Sequence, residues 1–425
     1  LAQALGTPGA CALFGIPGAG RAMVYAALAR HTGAPLCIVT PGEAEATRFA
    51  GDLNVLGIPA AVFPARDYLL RPIEGTGREY EYRRLSVLGD LVGGRLRAVC
   101  VPQEALTQYT TPRADFCANT RTLHAGDTLP REELTALLYG AGYTRRAQVD
   151  GPGQFSVRGD IVDIYAPDMK QPVRMEFWGD EIDTLHTFDL ATQRRDESIS
   201  KIYVSPAREV LLGAPPAAAE LLRAFLKKQR GKKRTALESC LAPELSQLDA
   251  GVMPVNMDKY LAVRYPEPAT VLDYLDEPLL IFEEPASVKE AQRAADFCRG
   301  EELAALLQDG VLAAGLGDLY ANAAWLWAQP GRYPTICAEN FVRSMPDIPL
   351  KIVVNAPAHT LPAWGGEVAA LLEDLNPLCS GGAAVTVMAG TARAAAGLAN
   401  DLRTHGLQVT TDAAAAPAAG LVQVL

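Results

Sequence analysis

The sequence predicts an α/β protein in which a parallel-sheet domain is interrupted by a small α+β insert and followed by a small α/β domain. Three observations carry this reading. Between Cys11 and Leu106 short apolar runs alternate with helical patterns, as βαβ units of a parallel sheet require. Between about residues 113 and 204 the pattern changes to one helix and strands of period two, suited to an antiparallel sheet with one wetted face. From about 351 the βα alternation returns. At 425 residues the chain is too long for one core. The expected segments are 1–112 and 205–350 for the two parts of the first domain, 113–204 for the insert, and 351–425 for the last domain.

Taken in order, strands are expected at 12–14, 36–39, 60–63 and 98–101, with helices to residue 30, from 43 and from 79. The segment 64–78, rich in Pro, Gly and charge, reads as a long loop of the kind that is functional or mobile. Pro112 marks a linker. A helix is expected at 131–139, then strands at 155–165 and 173–177 separated by a turn holding Pro167 and Pro172. Helices follow at 216–230, 288–307 and 317–327, with a buried-type strand at 279–282. The last domain reads as strand 352–354, helix 367–375, strand 384–388 and helix 391–405, then an alanine-rich loop at 413–419.

Composition excludes several classes. The net charge of -10 repels phosphate backbones over most of the surface, which leaves room only for a local nucleic-acid patch. The eight cysteines never come within zinc-ribbon or redox-motif spacing, and read as reduced core residues of a cytoplasmic protein. No apolar run is long enough to span a membrane. The five histidines (His31, His124, His186, His359 and His405) are too far apart in sequence to suggest a metal cluster. Neither a metal nor a cofactor is expected. The chain opens on Leu1 and stops in a strand-like stretch, and is expected to be a piece of a longer protein, monomeric by itself.

One motif has the setting of a phosphate loop. Gly15-Ile16-Pro17-Gly18-Ala19-Gly20-Arg21-Ala22 follows a strand and opens a helix, so the first domain reads as P-loop-type. Chemistry there needs lysine at the position of Arg21 and a magnesium-binding hydroxyl at the position of Ala22. The partner strand 279–282 ends in Glu283-Glu284, where an aspartate would support magnesium; the longer glutamate shifts the carboxylate by a methylene. The expectation is a degenerate nucleotide loop made of Gly15, Gly20, Arg21, Ala22, Glu283 and Glu284, without catalysis. Arg223, Lys227, Lys228, Arg230, Lys232, Lys233 and Arg234 form the one strong basic run, expected at a helix C-terminus where cations complement the dipole.

The insert carries the sharpest local pattern. If Val173, Met175 and Phe177 face the core, the period of two puts Arg174, Glu176 and Trp178 outside, with Arg158, Ser156 and Asp160 on the polar side of the neighbouring strand. Arginine beside an exposed aromatic is a common composition of an interface hot spot. The bland alternative is an arginine stacked over Trp178 on a solvated face.

The stretch Gly151-Pro152-Gly153-Gln154-Phe155-Ser156-Val157-Arg158-Gly159-Asp160-Ile161-Val162-Asp163-Ile164-Tyr165, continued by Val173-Arg174-Met175-Glu176-Phe177-Trp178-Gly179-Asp180, resembles a pattern shared by the UvrB and transcription-repair coupling factor (Mfd) families. Upstream, Phe63-Pro64-Ala65-Arg66-Asp67 and Pro102-Gln103-Glu104-Ala105-Leu106 are similar to the coupling-factor version. The substitutions at Arg21, Ala22 and Glu283 favour the coupling factors, whose counterpart of the UvrB nucleotide site is degenerate. The resemblance implies a bacterial, cytoplasmic N-terminal segment acting in nucleotide excision repair, with UvrA as partner of the insert. RNA polymerase and DNA would be engaged by the parent protein, whose ATP-driven translocase would lie C-terminal to this chain. It also implies that UvrA contacts fall on Arg158, Arg174 and Trp178, where the family usually has phenylalanine at the last position. The rival readings are an active UvrB-type ATPase that loads on damaged DNA, and a nucleic-acid-binding module using the basic run at 223–234.

Overall fold

The computed structural model describes residues 3–71, 77–345, 348–356, 358 and 366–425. The chain opens with β1 (Gly9–Phe14), α1 (Gly18–Thr32), β2 (Leu36–Thr40), α2 (Glu43–Val55), β3 (Ala60–Val62), α3 (Glu79–Val92) and β4 (Ala98–Pro102), then two short helices, α4 (Gln103–Thr107) and α5 (Arg113–Ala118). A parallel strand is covered on both faces, so it reads as an unbroken apolar run while its period of two divides it between two cores. Cys11, Leu13, Ile38 and Cys100 share one core with Tyr25, Phe49 and Leu53 of α1 and α2. Cys37, Val39, Val99 and Val101 share the other with Leu85 and Leu88 of α3.

The insert consists of β5 (Arg121–His124), α6 (Arg131–Gly140), β6 (Thr144–Arg145), β7 (Gln154–Arg158), β8 (Ile161–Tyr165), β9 (Val173–Trp178), β10 (Glu181–Phe188), β11 (Arg195–Ile199) and β12 (Lys201–Val204). Its main sheet has the order β11-β10-β9-β8-β7-β6, antiparallel except where β6 lies parallel to β7. The segment 155–165, expected as one strand, is a hairpin. Arg158 pairs with Ile161 across a two-residue turn, in which Gly159 takes φ 60°, a left-handed conformation that glycine adopts without strain. Leu134 and Leu138 of α6 cover one face of the sheet, against Phe155, Val162, Ile164, Met175 and Phe177. The incoming strand β5 pairs antiparallel with the outgoing strand β12, which closes the insert at its root.

After the insert come α7 (Pro215–Lys227), α8 (Gly231–Asp249), α9 (Leu261–Arg264), β13 (Leu279–Glu283), α10 (Pro285–Gln308), α11 (Ala323–Arg332), β14 (Pro334–Glu339) and β15 (Leu350–Asn355). These complete a seven-stranded, wholly parallel sheet of order β15-β1-β14-β13-β2-β4-β3. The helix expected at 317–327 starts later, where the Asn322 side chain caps it by accepting from the Trp325 N–H. Residues 317–322 form no helix, and Tyr320 bridges to Gln108. β15, grouped by sequence with the last unit, hydrogen-bonds to β1 at the edge of the large sheet. Beyond it, α12 (Val368–Ser380), β16 (Val385–Val387), α13 (Ala392–Thr404), β17 (Gln408–Thr410) and β18 (Leu421–Val424) form a small unit with a parallel sheet of order β16-β18-β17 and its own core.

A buried ionic network ties the chain segments that flank the insert. Glu209, on the stretch returning from β12, is fully enclosed and accepts from Arg84 (2.5 Å) and Arg66 (3.2 Å). Arg66 also pairs with Asp258 at 2.7 Å, and Arg84 donates to the carbonyl of Pro64 and the side chain of Gln108. The backbone of Glu209 is held as well, its N–H donating to Glu81 and its C=O accepting from Thr111.

The cysteines follow the expected apolar placement in part. Cys11, Cys37, Cys100, Cys240 and Cys337 are buried, and burial raises the Cys37 and Cys337 thiols to about 12. Cys117 and Cys298 are exposed instead. Because the thiolate is the nucleophile, iodoacetamide at pH 8 is expected to modify Cys117 and Cys298 and to spare Cys37, Cys100 and Cys337 until the chain is denatured. Peptide mass mapping after a short pulse checks this; rapid modification of Cys37 in the native protein would contradict the packing.

Candidate functional site

At the end of β1, Gly15 turns the chain at φ 83°, and a Cβ there would lie 2.6 Å from the carbonyl oxygen of Ala356, so glycine is required twice over. At Gly20 a Cβ would meet the Ile16 side chain at 2.9 Å. The following residues point inward. Ala22 is packed in the core shared with α2, and Arg21 is 3% exposed.

The Arg21 guanidinium is consumed internally. It donates to the Ile16 carbonyl (2.8 Å), to Glu283 (2.5 Å), to Glu284 (2.7 Å) and to the Asn340 side-chain oxygen (2.9 Å). The Tyr25 hydroxyl donates to the other oxygen of Glu283. Burial works against the arginine's charge, but Glu283 and Glu284 outweigh it and hold its pKa above the ordinary value. Glu284 adopts φ 49°, a left-handed conformation unusual for a glutamate, while accepting from both Arg21 and the Asn340 N–H. Sequence reasoning put Arg21, Glu283 and Glu284 at one site, and the structure brings them into contact. Tyr25 and Asn340 were missed, since neither belongs to a motif.

On the insert, β9 alternates as expected: Val173, Met175 and Phe177 are buried, and Arg174, Glu176 and Trp178 lie on the other face. The organising residue there is Asp163 on β8, missed because a single acid between Val162 and Ile164 looks like any wetted strand position. It is fully buried and sits directly across from Arg174 and Ser156. Its carboxylate accepts from Arg174 Nε (2.7 Å) and Nη2 (3.0 Å), and from Arg158 Nη2 (2.5 Å). These hydrogen bonds, opposed by partial burial, raise the pKa of Arg174.

Arg174 stacks over Phe188, its Cζ 4.6 Å from the ring centroid, rather than over Trp178 as the bland alternative supposed. Asp160, expected beside Arg158, lies in the turn and pairs with Arg131. Glu176 is taken by Arg195. Trp178, at the end of β9, is 80% exposed, with Gly179 at φ 65° forming the turn into β10. The face therefore presents two arginines fixed by one buried carboxylate, and one large aromatic in water.

The UvrB interaction domain family matches residues 122–210, which spans the insert sheet from within β5 to beyond β12. Over 376 residues the chain is 26% identical to the transcription-repair-coupling factor of Bacillus subtilis, covering 86% of this chain and 32% of that protein. The Mycobacterium bovis coupling factor is 32% identical over 296 residues, 67% of this chain and 23% of its own length. This chain belongs to the transcription-repair-coupling factor family. UvrABC system protein B of Chlorobium limicola is also similar, 26% identical over 300 residues, 63% of this chain and 44% of that protein. The coupling-factor segment thus spans about a third or less of the coupling factors compared.

Other features of this coupling-factor segment are quieter. The basic run is split between two helix ends: Arg223 and Lys227 close α7, whereas Lys232, Lys233 and Arg234 stand in the first turn of α8, where the dipole disfavours cations. Arg223 pairs with Asp249 and Arg234 with Glu238 on the surface. No metal-binding cluster occurs among the described residues, and His359 lies outside them. No described helix is long and apolar enough to cross a membrane.

Proposed function

We propose that this chain is the UvrB-like, N-terminal segment of a longer coupling factor and that it recruits UvrA through the outer face of the insert sheet, handing a lesion from stalled RNA polymerase to excision repair. The observation that carries the reading is the Arg158–Asp163–Arg174 lock beside Trp178, inside the stretch similar to the UvrB interaction domain. Arginines held in one geometry lose little entropy on docking, and an exposed indole supplies the anchor that hot spots favour. RNA polymerase and DNA are contacted by the rest of the parent, and this segment acts as a cytoplasmic monomer.

The same reading makes the glycine loop silent. A nucleotide would have to displace Glu283 and Glu284 from a buried arginine and would find no hydroxyl at Ala22 for magnesium. The segment is therefore not an enzyme. ATP turnover by the purified chain would support the rival UvrB-type ATPase instead.

Calorimetric titration with UvrA tests the docking face. Trp178→Ala is expected to weaken binding by about tenfold or more, equivalent to about 1.4 kcal/mol, without lowering thermal stability. Arg158→Ala should weaken it too, again with the fold intact. Arg174→Ala also strips a buried carboxylate of a partner, so its affinity loss counts only beside circular dichroism. Absence of wild-type binding defeats the recruitment reading for this segment.

A further inference from the structure

Where the insert meets the helical part of the body, a cavity of about 440 Å³ opens between the β6 region and the turn at 251–258. That volume lies in the range of small-ligand sites, which favour domain boundaries. Four arginines line it: Arg78, Arg145, Arg146 and Arg208. So do two acids, Glu81 and Asp258, but both are spoken for. Glu81 pairs with Arg78 at 2.7 Å, and Asp258 pairs with Arg66 of the buried network.

That leaves three guanidiniums, those of Arg145, Arg146 and Arg208, with no ion pair among the described residues. In a chain with 49 acidic against 39 basic residues, three arginines without an ion pair on one cavity, Arg145 and Arg146 exposed and Arg208 half-buried, form a local positive patch suited to a polyanion. The placement of Arg208 depends on a glycine: at Gly142, φ 84°, a Cβ would fall 2.7 Å from the Arg208 Cγ, so the absence of a side chain lets the arginine stem pass. The rest of the lining is mostly apolar, with Tyr139, Met253 and Val255 among its members, and so suits a ring.

We propose that this cavity binds a small ligand carrying two or more phosphates and an apolar ring, of the nucleoside diphosphate or triphosphate type. Arginine forks meet phosphate oxygens in pairs, and the Tyr139–Met253 side takes the ring. A nucleic-acid backbone fits less well, because the chain is acidic and the arginines face a cavity, not a continuous stripe. This site is separate from the glycine loop, whose arginine is already neutralised.

Calorimetry of the chain with ATP, ADP, AMP and inorganic triphosphate tests the assignment, comparing wild type, Arg145→Ala/Arg146→Ala and the control Arg223→Ala. ATP should bind saturably, AMP more weakly, and the double variant should lose about tenfold or more in affinity for ATP, with an unchanged circular dichroism spectrum. Arg223→Ala should bind as wild type. Triphosphate binding weaker than ATP assigns the apolar wall to the ring; equal affinity assigns recognition to the phosphates, the chemistry common to both. The proposal is overturned if neither ATP nor triphosphate binds up to about millimolar concentration, or if the double variant binds ATP as wild type does.

Discussion

Arg84→Ala is expected to lower the unfolding free energy by about 3–5 kcal/mol, the usual consequence of stripping one partner from a buried ion pair. Arg84 and Glu209 are both fully enclosed, and no solvent can replace the lost guanidinium. The damage spreads because the pair joins distant segments: the arginine sits on α3, the glutamate on the stretch leaving the insert, and Arg66 and Asp258 extend the link to the helical part. Urea denaturation of wild type and variant measures the loss. A double-mutant cycle with Glu209→Ala should show that the second substitution costs far less once the first is made. A change under about 1 kcal/mol for Arg84→Ala, the value of an exposed pair, would mean that the network does not hold the segments together.

The second large effect is expected at Asp163. Asp163→Ala leaves Arg174, mostly enclosed, facing an empty position, and should cost about 3 kcal/mol in stability. Arg158, whose side chain is 44% exposed, recovers hydration and suffers less. Both arginines also lose the shared acceptor that fixes their direction, so affinity for UvrA should fall by about tenfold or more, although Asp163 is buried. Asp163→Asn, which keeps one acceptor oxygen, should restore part of each loss. Unchanged UvrA affinity in a destabilised but folded Asp163→Ala protein would make the carboxylate purely architectural and move the docking face elsewhere.

The strands of the large sheet that read most clearly in the sequence are those whose burial is complete and uninterrupted. Leu36-Cys37-Ile38-Val39 and Ala98-Val99-Cys100-Val101 are apolar at every position because helices cover both faces of the sheet. β14 escaped notice although it lies between β1 and β13: it opens on Pro334, carries a threonine and ends on Glu339, so only three apolar residues mark it. Helix α8 was hidden by its basic start and by Pro243. At the glycine loop, motif spacing located Arg21, Glu283 and Glu284, but their mutual neutralisation is a tertiary fact, made between residues more than 260 positions apart. On the insert, alternation alone placed Arg174 and Trp178 outside. The ion pairing of Asp163 depends on the register between β8 and β9, which alternation does not specify.

The strand order of the large sheet also constrains how the chain can be made. β1 and β2 are consecutive in sequence, yet β14 and β13 lie between them in the sheet. A ribosome therefore delivers β1 with neither neighbour available, and both must wait until residues 334–355 have emerged. The insert, whose main sheet pairs strands adjacent in sequence, can condense much earlier. Biosynthesis thus leaves a folded insert attached to an unfinished large sheet, and during that interval the apolar run of β1 is the part most in need of a chaperone.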